Sequence, residues 1–250
     1  MFSMSIQDIH KLDKHVWKVT TNDAAVFIVK SRKKSTITQK EYNNLLALKY
    51  VDGVPRIFNY YHNGIPLSSY PCLVLYYTPG EDLFNLIDSR ILTPTTIIPI
   101  FRSIVKILAN VHTLGIYHRD IKPENIIVSF DTLNNPKVTV IDWEYAESIT
   151  KHITIACGTR TYISPEMVQQ PRVFSICNDV WALGVVLYMM LTNTFPFPDM
   201  DTFVYLLSYN PSYDRQELTS ESIVFLKKIF TPFSQRLTLS EALLDTFLAE

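Results

Sequence analysis

Two short apolar runs open the chain, H-V-W-K-V-T at 15–20 and A-V-F-I-V-K at 25–30. Each has the length and the β-branched and aromatic content of a strand, and T-T-N-D at 20–23 gives a polar turn between them. From Thr38 to Tyr50 the period changes: Tyr42, Leu45 and Leu48 recur at helical spacing and predict a helix. Two more strand-like runs follow, R-I-F-N-Y-Y at 56–61 and C-L-V-L-Y-Y at 72–77. Thr78-Pro79-Gly80 then breaks the pattern.

Beyond this break the helical period dominates. A short helical piece runs from Glu81 to Ile87. In the next stretch Ile97, Phe101, Ile104, Leu108 and Val111 follow one another at spacings of 4, 3, 4 and 3, and Gly115 is the stop signal. Pro99 falls near the start of that helix, where proline is tolerated best. I-I-V-S at 126–129 and K-V-T-V-I-D at 137–142 read as strands around a turn at N-N-P, 134–136. Helices are predicted over Asp179–Leu191, Thr202–Ser208, Ser220–Phe230 and Leu239–Leu248. A strand-rich small part, 1–78, joined to a helix-rich larger part, 79–250, is an α+β organisation.

Composition narrows the class. With 250 residues and 47% hydrophobic content, the chain can build one domain or a compact pair of lobes. A formal net charge of −1 argues against a nucleic-acid or membrane partner recruited by bulk charge. The three cysteines, Cys72, Cys157 and Cys177, have no C-x-x-C spacing, so neither a disulfide framework nor a zinc site is expected. That usage suits a reducing, intracellular compartment, cytoplasmic or nuclear. Asp8, His10 and Lys11 come too early for a signal peptide. The longest mostly apolar run, Val180–Leu191, has twelve residues, short of the ~20 that a membrane span needs. No feature fixes an oligomeric state.

The densest chemistry lies at 118–125, H-R-D-I-K-P-E-N, between apolar neighbours Ile116-Tyr117 and Ile126-Ile127. An ionised Asp120 can orient a hydroxyl and take its proton. Lys122 can neutralise a transferring anion. Asn125 offers an amide oxygen, and Asp142, expected at a strand end, offers a carboxylate. Two such hard oxygens suit Mg²⁺, which keeps water and phosphate oxygens as its other ligands.

The octapeptide resembles the catalytic loop of eukaryotic protein kinases, in the Ser/Thr form that carries Lys122. The resemblance runs over roughly residues 12–248. V-F-I-V-K at 26–30 is similar to the strand that holds the ATP-anchoring lysine, and E-Y-N-N-L-L-A-L at 41–48 to the helix that follows it. L-V-L-Y-Y-T-P-G-E-D-L-F at 73–84 resembles the strand and hinge that bracket adenine. C-G-T-R-T-Y-I-S-P-E at 157–166, N-D-V-W-A-L-G-V at 178–185 and S-Q-R-L-T at 234–238 resemble the end of the activation segment, the central helix and the late arginine region.

The resemblance implies a single bilobal protein kinase domain over 1–250, with a small strand-rich lobe at 1–78 and a larger helical lobe at 79–250. Its implied cofactors are ATP and Mg, and its implied partner is a protein substrate offering Ser or Thr. Asp120 would be the catalytic base, Lys122 the phosphate neutraliser, and Asn125 and Asp142 the metal ligands. Lys30 would hold the α- and β-phosphates while paired with Glu41. Leu75 would be the gatekeeper, the Tyr77 backbone would read adenine, and Val16, Ile28 and Ile127 would sandwich the base. Asp82 would reach the ribose, Asp179 would brace the catalytic loop, and Glu166 and Arg236 would form a buried ion pair.

Three features depart from the family pattern. Counting back from Lys30, the glycine places of the phosphate-covering loop fall on Ile9, Lys11 and Lys14, and the N-terminus leaves little room for a full first strand. D-W-E at 142–144 stands for D-F-G: Trp143 is a workable large apolar replacement, but Glu144 lacks glycine's freedom in φ and adds a negative charge near the metal. Ile28 stands for the alanine of the adenine roof. The usual activating phosphosite falls on Ile155, with Thr154 beside it. Because Lys30, Glu41, Asp120, Lys122, Asn125 and Asp142 are all retained, the resemblance still implies an active Ser/Thr kinase, slowed by these departures. The alternative is a pseudokinase acting as a binding or decoy module. Gly158-Thr159 and Ser164-Pro165-Glu166, which build the family's peptide platform, weigh against a kinase-fold enzyme for small molecules.

Overall fold

The computed structural model describes residues 5–151, 157–168, 172–197 and 211–249. The helix expected at Thr202–Ser208 lies outside the described residues, as do Thr154 and Ile155. The chain forms two compact units: Met1–Pro79 with Ile141–Glu144, and Gly80–Val140 with Tyr145–Glu250. The division falls after Pro79, and a four-residue segment from late in the chain belongs to the first unit, which a simple split at 78/79 omits.

The first unit is an antiparallel sheet in the order β1-β2-β3-β5-β4. Its strands are β1 (Ile6–Asp13), β2 (Val16–Thr21), β3 (Val26–Ser31), β4 (Ile57–Tyr61) and β5 (Cys72–Tyr76). Alternation along β3 puts Phe27 and Val29 into a core with Val19, Cys72 and Val74. The opposite face of β3 therefore carries Ile28 and Lys30. Helix α1 (Ser35–Ala47) turns Thr38, Glu41 and Leu45 inward. It starts three residues before the predicted Thr38.

The expectation about the first strand needs correction. β1 has eight residues and pairs with β2 from Ile6↔Thr21 to Asp13↔Val16. Every residue of β1 except Ile6 is exposed. It therefore carries no burial period to read, and backbone pairing at the sheet edge holds it. The β1–β2 link is a tight turn at Lys14-His15, so Ile9 and Lys11 sit in the ladder opposite Val19 and Trp17.

The second unit holds α2 (Leu83–Asp88), α3 (Pro94–Thr113), α4 (Cys177–Thr192), α5 (Ser220–Ile229) and α6 (Leu239–Leu243). Its short strands are β6 (Glu81–Asp82), β7 (Ile116–Tyr117), β8 (Ile126–Phe130), β9 (Pro136–Val140) and β10 (Glu147–Ser148). They form a β6-β8-β9 sheet and a β7-β10 pair. α3 is long and apolar enough, by length and composition, to cross a membrane, but half of its apolar window is buried inside the unit. Ile97, Ile100, Phe101, Ile104, Leu108 and Val111 are all buried, and α3 packs on β9, α6 and α4. That is the position of a core helix.

α4 is buried on nearly every side. Trp181 stacks on Phe197 at 5.5 Å and meets the edge of Phe230 at 5.0 Å. The helix predicted over Leu239–Leu248 stops at Leu243. Asp245 then caps a separate turn, Thr246–Leu248, by accepting the Phe247 N–H at 3.0 Å.

Candidate active site

In the first unit, β3 ends by carrying Lys30 toward α1. Its ammonium lies 2.6 Å from Glu41 Oε1 and 2.7 Å from Asp142 Oδ1. Burial alone would lower the Lys30 pKa, but the two carboxylates outweigh it and raise the ammonium well above the ordinary lysine value. Glu41 is pushed the same way: burial raises its carboxyl against the opposing pull of Lys30, and Asp142 and Glu144 add to the rise.

Asp142 does not sit at a strand end. β9 stops at Val140, and Asp142 has φ 66, in the left-handed region that Asp tolerates better than most residues. The left-handed position of D-W-E is thus Asp142, not Glu144, and replacing the family's glycine at 144 costs no backbone strain here. Trp143 is fully buried, and its carbonyl accepts from Asn44 Nδ2 of α1 at 2.9 Å. The Glu144 carboxylate is buried and lies 2.6 Å from Arg32 Nη2. Neither Asn44 nor Arg32 was marked by the sequence, since an asparagine on a helix and an arginine in a basic turn read as surface.

In the second unit, the catalytic-loop residues converge on one carboxylate. Asp120 Oδ1 accepts the Thr159 N–H at 2.8 Å and the Thr159 hydroxyl at 3.0 Å. Asn125 Nδ2 donates to the Asp120 carbonyl at 2.9 Å and to its Oδ2 at 3.2 Å. Lys122 Nζ donates to Thr159 Oγ1 at 2.9 Å and stands 3.3 Å from Asp120 Oδ2. Thr159 thus joins Asp120 to Lys122. The sequence reading gave it only to a peptide platform, because 39 positions separate it from Asp120.

Gly158 makes this approach possible. It has φ 98, and a Cβ there would stand 2.5 Å from the Arg119 carbonyl oxygen. Asp179 of α4 braces the same loop from within, accepting the His118 N–H at 2.8 Å, the Arg119 N–H at 2.9 Å and sharing a hydrogen bond with His112 Nε2 at 3.0 Å. Burial would raise the Asp179 carboxyl, but these partners overcome it and hold it below the ordinary carboxylate range. Arg236 Nη1 and Nη2 grip Glu166 at 2.6 and 3.2 Å, and Asn178 Nδ2 reaches Glu166 at 3.1 Å.

The residues assigned to the nucleotide divide between the units. In the first, Val16 faces Lys30 and Ile28 faces Leu75 across the sheet. The expected backbone contact of Tyr77 needs correction: its N–H is spent on the Val26 carbonyl at 3.1 Å. Tyr77 therefore has only its carbonyl to offer. The Lys18 ammonium lies 4.2 Å over the Tyr77 ring. In the second unit, Ile127 pairs with Asp82 and Thr139. The Asp82 carboxylate caps α2, accepting from Asn85 N and Nδ2 at 2.9 Å each. Its helix-capping role stands beside any contact with a ribose.

Residues 14–248 match the family model described as protein kinase domain. Curated relatives include a serine/threonine-protein kinase of Drosophila persimilis, 37% identical over 128 residues, 50% of this chain and 17% of the relative. The serine/threonine-protein kinase GIN4 of Saccharomyces cerevisiae is 33% identical over 173 residues, 66% of this chain and 15% of the relative. The maternal embryonic leucine zipper kinase of Xenopus laevis is 31% identical over 137 residues, 53% of this chain and 20% of the relative. The matches thus span a fifth or less of these relatives' lengths. The chain belongs to the eukaryotic-type protein kinase family and has that family's bilobal α+β fold.

Proposed function

We propose that this chain is an active protein kinase that transfers the γ-phosphate of ATP to a Ser or Thr hydroxyl of a protein, with Mg²⁺. The observation that carries the reading is the Lys30 bridge to both Glu41 and Asp142 within the first unit; within the second, the Asp120 carboxylate is ordered by Thr159, Asn125 and Lys122. Positioning and electrostatics dominate phosphoryl transfer, and both charge sets are assembled.

The donor chemistry suits the cofactors. The Asn125 NH₂ is committed to Asp120, which leaves its amide oxygen as the group for a hard cation. The Asp142 carboxylate is the second metal ligand, and Lys30 is the cation for the α- and β-phosphates. Bound Mg²⁺ would neutralise charge on the phosphates during transfer. Asp120 accepts the proton of the substrate hydroxyl as its oxygen bonds to the γ-phosphorus and the bond to the β-phosphate oxygen breaks. Lys122, held by Thr159, offsets the negative charge of the transferring group. The apolar residues offered to the base are Val16, Ile28 and Leu75 in the first unit and Ile127 in the second.

The test is transfer of labelled phosphate to generic protein substrates. Incorporation by wild type should be lost in Asp120→Asn and in Asp142→Asn; equal incorporation by all three would mean a contaminating kinase. The pseudokinase reading is favoured by one feature, the glycine-free β1–β2 hairpin with its Lys14-His15 turn. A complete lack of Mg-ATP binding at millimolar concentration would select it.

A further inference from the structure

Three consecutive residues of D-W-E are tied to three different points of the first unit. Asp142 is held by Lys30 of β3, the Trp143 carbonyl by Asn44 of α1, and Glu144 by Arg32 in the β3–α1 link. The first two ties need no change from the family pattern. The third exists only because a glutamate replaces glycine, and it brings a hazard. Carboxylate oxygens of Glu41, Asp142 and Glu144 all lie within 4.8 Å of one another. Like charges that close disfavour ionisation and push the groups apart. Lys30 is already shared by Glu41 and Asp142, so Glu144 needs a cation of its own.

We propose that Arg32 is a positioning residue for Asp142: it offsets Glu144, lets that glutamate stay buried two residues from Asp142, and so keeps the D-W-E segment seated on β3 and α1. Arg32 suits the task. Its side chain is about one-third exposed (29%) while that of Glu144 is 7% exposed, so the guanidinium spans from solvent to the buried carboxylate. Without it, a desolvated carboxylate would stand beside Asp142 with no charge partner, and the segment would relieve this by leaving its seat. With it, the segment is held by contacts made within the folded unit. The consequence for catalysis rests on the kinase reading above; the seating itself does not.

The test labels the three tryptophans, Trp17, Trp143 and Trp181, with 5-fluorotryptophan and follows the Trp143 ¹⁹F line, assigned by its loss in Trp143→Phe. Wild type should show one narrow Trp143 line. In Arg32→Met the line should split or broaden while those of Trp17 and Trp181 stay in place, and the Kd for Mg-ATP should rise at least tenfold. Arg32→Lys keeps the charge and should preserve both readouts. Adding Glu144→Gln to Arg32→Met removes the repulsion and should restore the narrow line, with Kd within threefold of wild type. An unchanged Trp143 line in Arg32→Met, or no recovery in the double variant, overturns the proposal. If wild type itself binds no Mg-ATP, the kinase reading fails, and the Trp143 line still decides the seating.

Discussion

At the level of single residues, the buried charges of Glu41, Asp179, Glu166 and Arg236 each have a partner of opposite or hydrogen-bonding character. Arg236 is the clearest case: its side chain is fully enclosed and bonds to Glu166, and to the carbonyls of Ile229, Cys177 and Thr231. Its guanidinium also lies 5.0 Å from the Trp181 ring. Breaking such a pair leaves an unpaired charge in a buried site, at a cost of ~3–5 kcal/mol. Arg236→Ala should therefore lower the melting temperature by roughly 10 °C, and an unchanged melting curve would refute a structural role for the pair. The residues of H-R-D-I-K-P-E-N were legible because eight adjacent positions carry the pattern. Arg32, Asn44 and Thr159 were not, because each acts on a residue far along the chain: Thr159 on Asp120, 39 positions away, Asn44 on Trp143, 99 positions away, and Arg32 on Glu144. Asp142 stood out in the sequence as a candidate, yet its left-handed backbone was hidden: β9 gives no sign in sequence that it ends at Val140 and not at Asp142.

At the level of elements, burial period decided what could be read. β3 alternates fully and β5 is buried along four of its five residues, so both stand out in the sequence. β1 is exposed on both faces and leaves no trace. Its presence changes the expectation for the glycine places. Lys11 is paired opposite Trp17 and lies within the ladder, while Lys14 is in the turn, where its N–H is taken by Asp13 Oδ1 at 2.6 Å. A glycine in the strand weakens it by up to ~1 kcal/mol, whereas an exposed turn tolerates the change within ~0.5 kcal/mol. Lys11→Gly should lower the melting temperature without tightening Mg-ATP, and Lys14→Gly should leave both nearly as they were. The pair of measurements is thermal unfolding and calorimetric titration of Mg-ATP. A tenfold gain in affinity for either variant would show that side chains, not the strand ladder, keep backbone amides from the phosphates.

At the scale of the whole molecule, the chain leaves the first unit at Pro79 and contributes to it again with Ile141–Glu144. That return brings two acids, Asp142 and Glu144, to a unit that already buries Glu41, against the cations Lys30 and Arg32. Lys30 therefore serves the fold as well as any nucleotide. Burial already raises the Glu41 and Glu144 carboxyls with Lys30 in place. Removing Lys30 takes away the ammonium that opposes the rise, so the folded-state values climb further above the unfolded carboxylate range of ~4. A carboxyl raised on folding leaves stability intact at low pH and subtracts from it as pH climbs past the unfolded value. Lys30→Met should thus be close to wild type in melting temperature near pH 4–5 and fall progressively behind it toward pH 8. The loss at the upper end should approach the ~3–5 kcal/mol of an unpaired buried charge. Thermal unfolding of both proteins across that pH range measures the gap. A gap that does not change with pH would mean that Lys30 supports the unit through its packing and not through its charge.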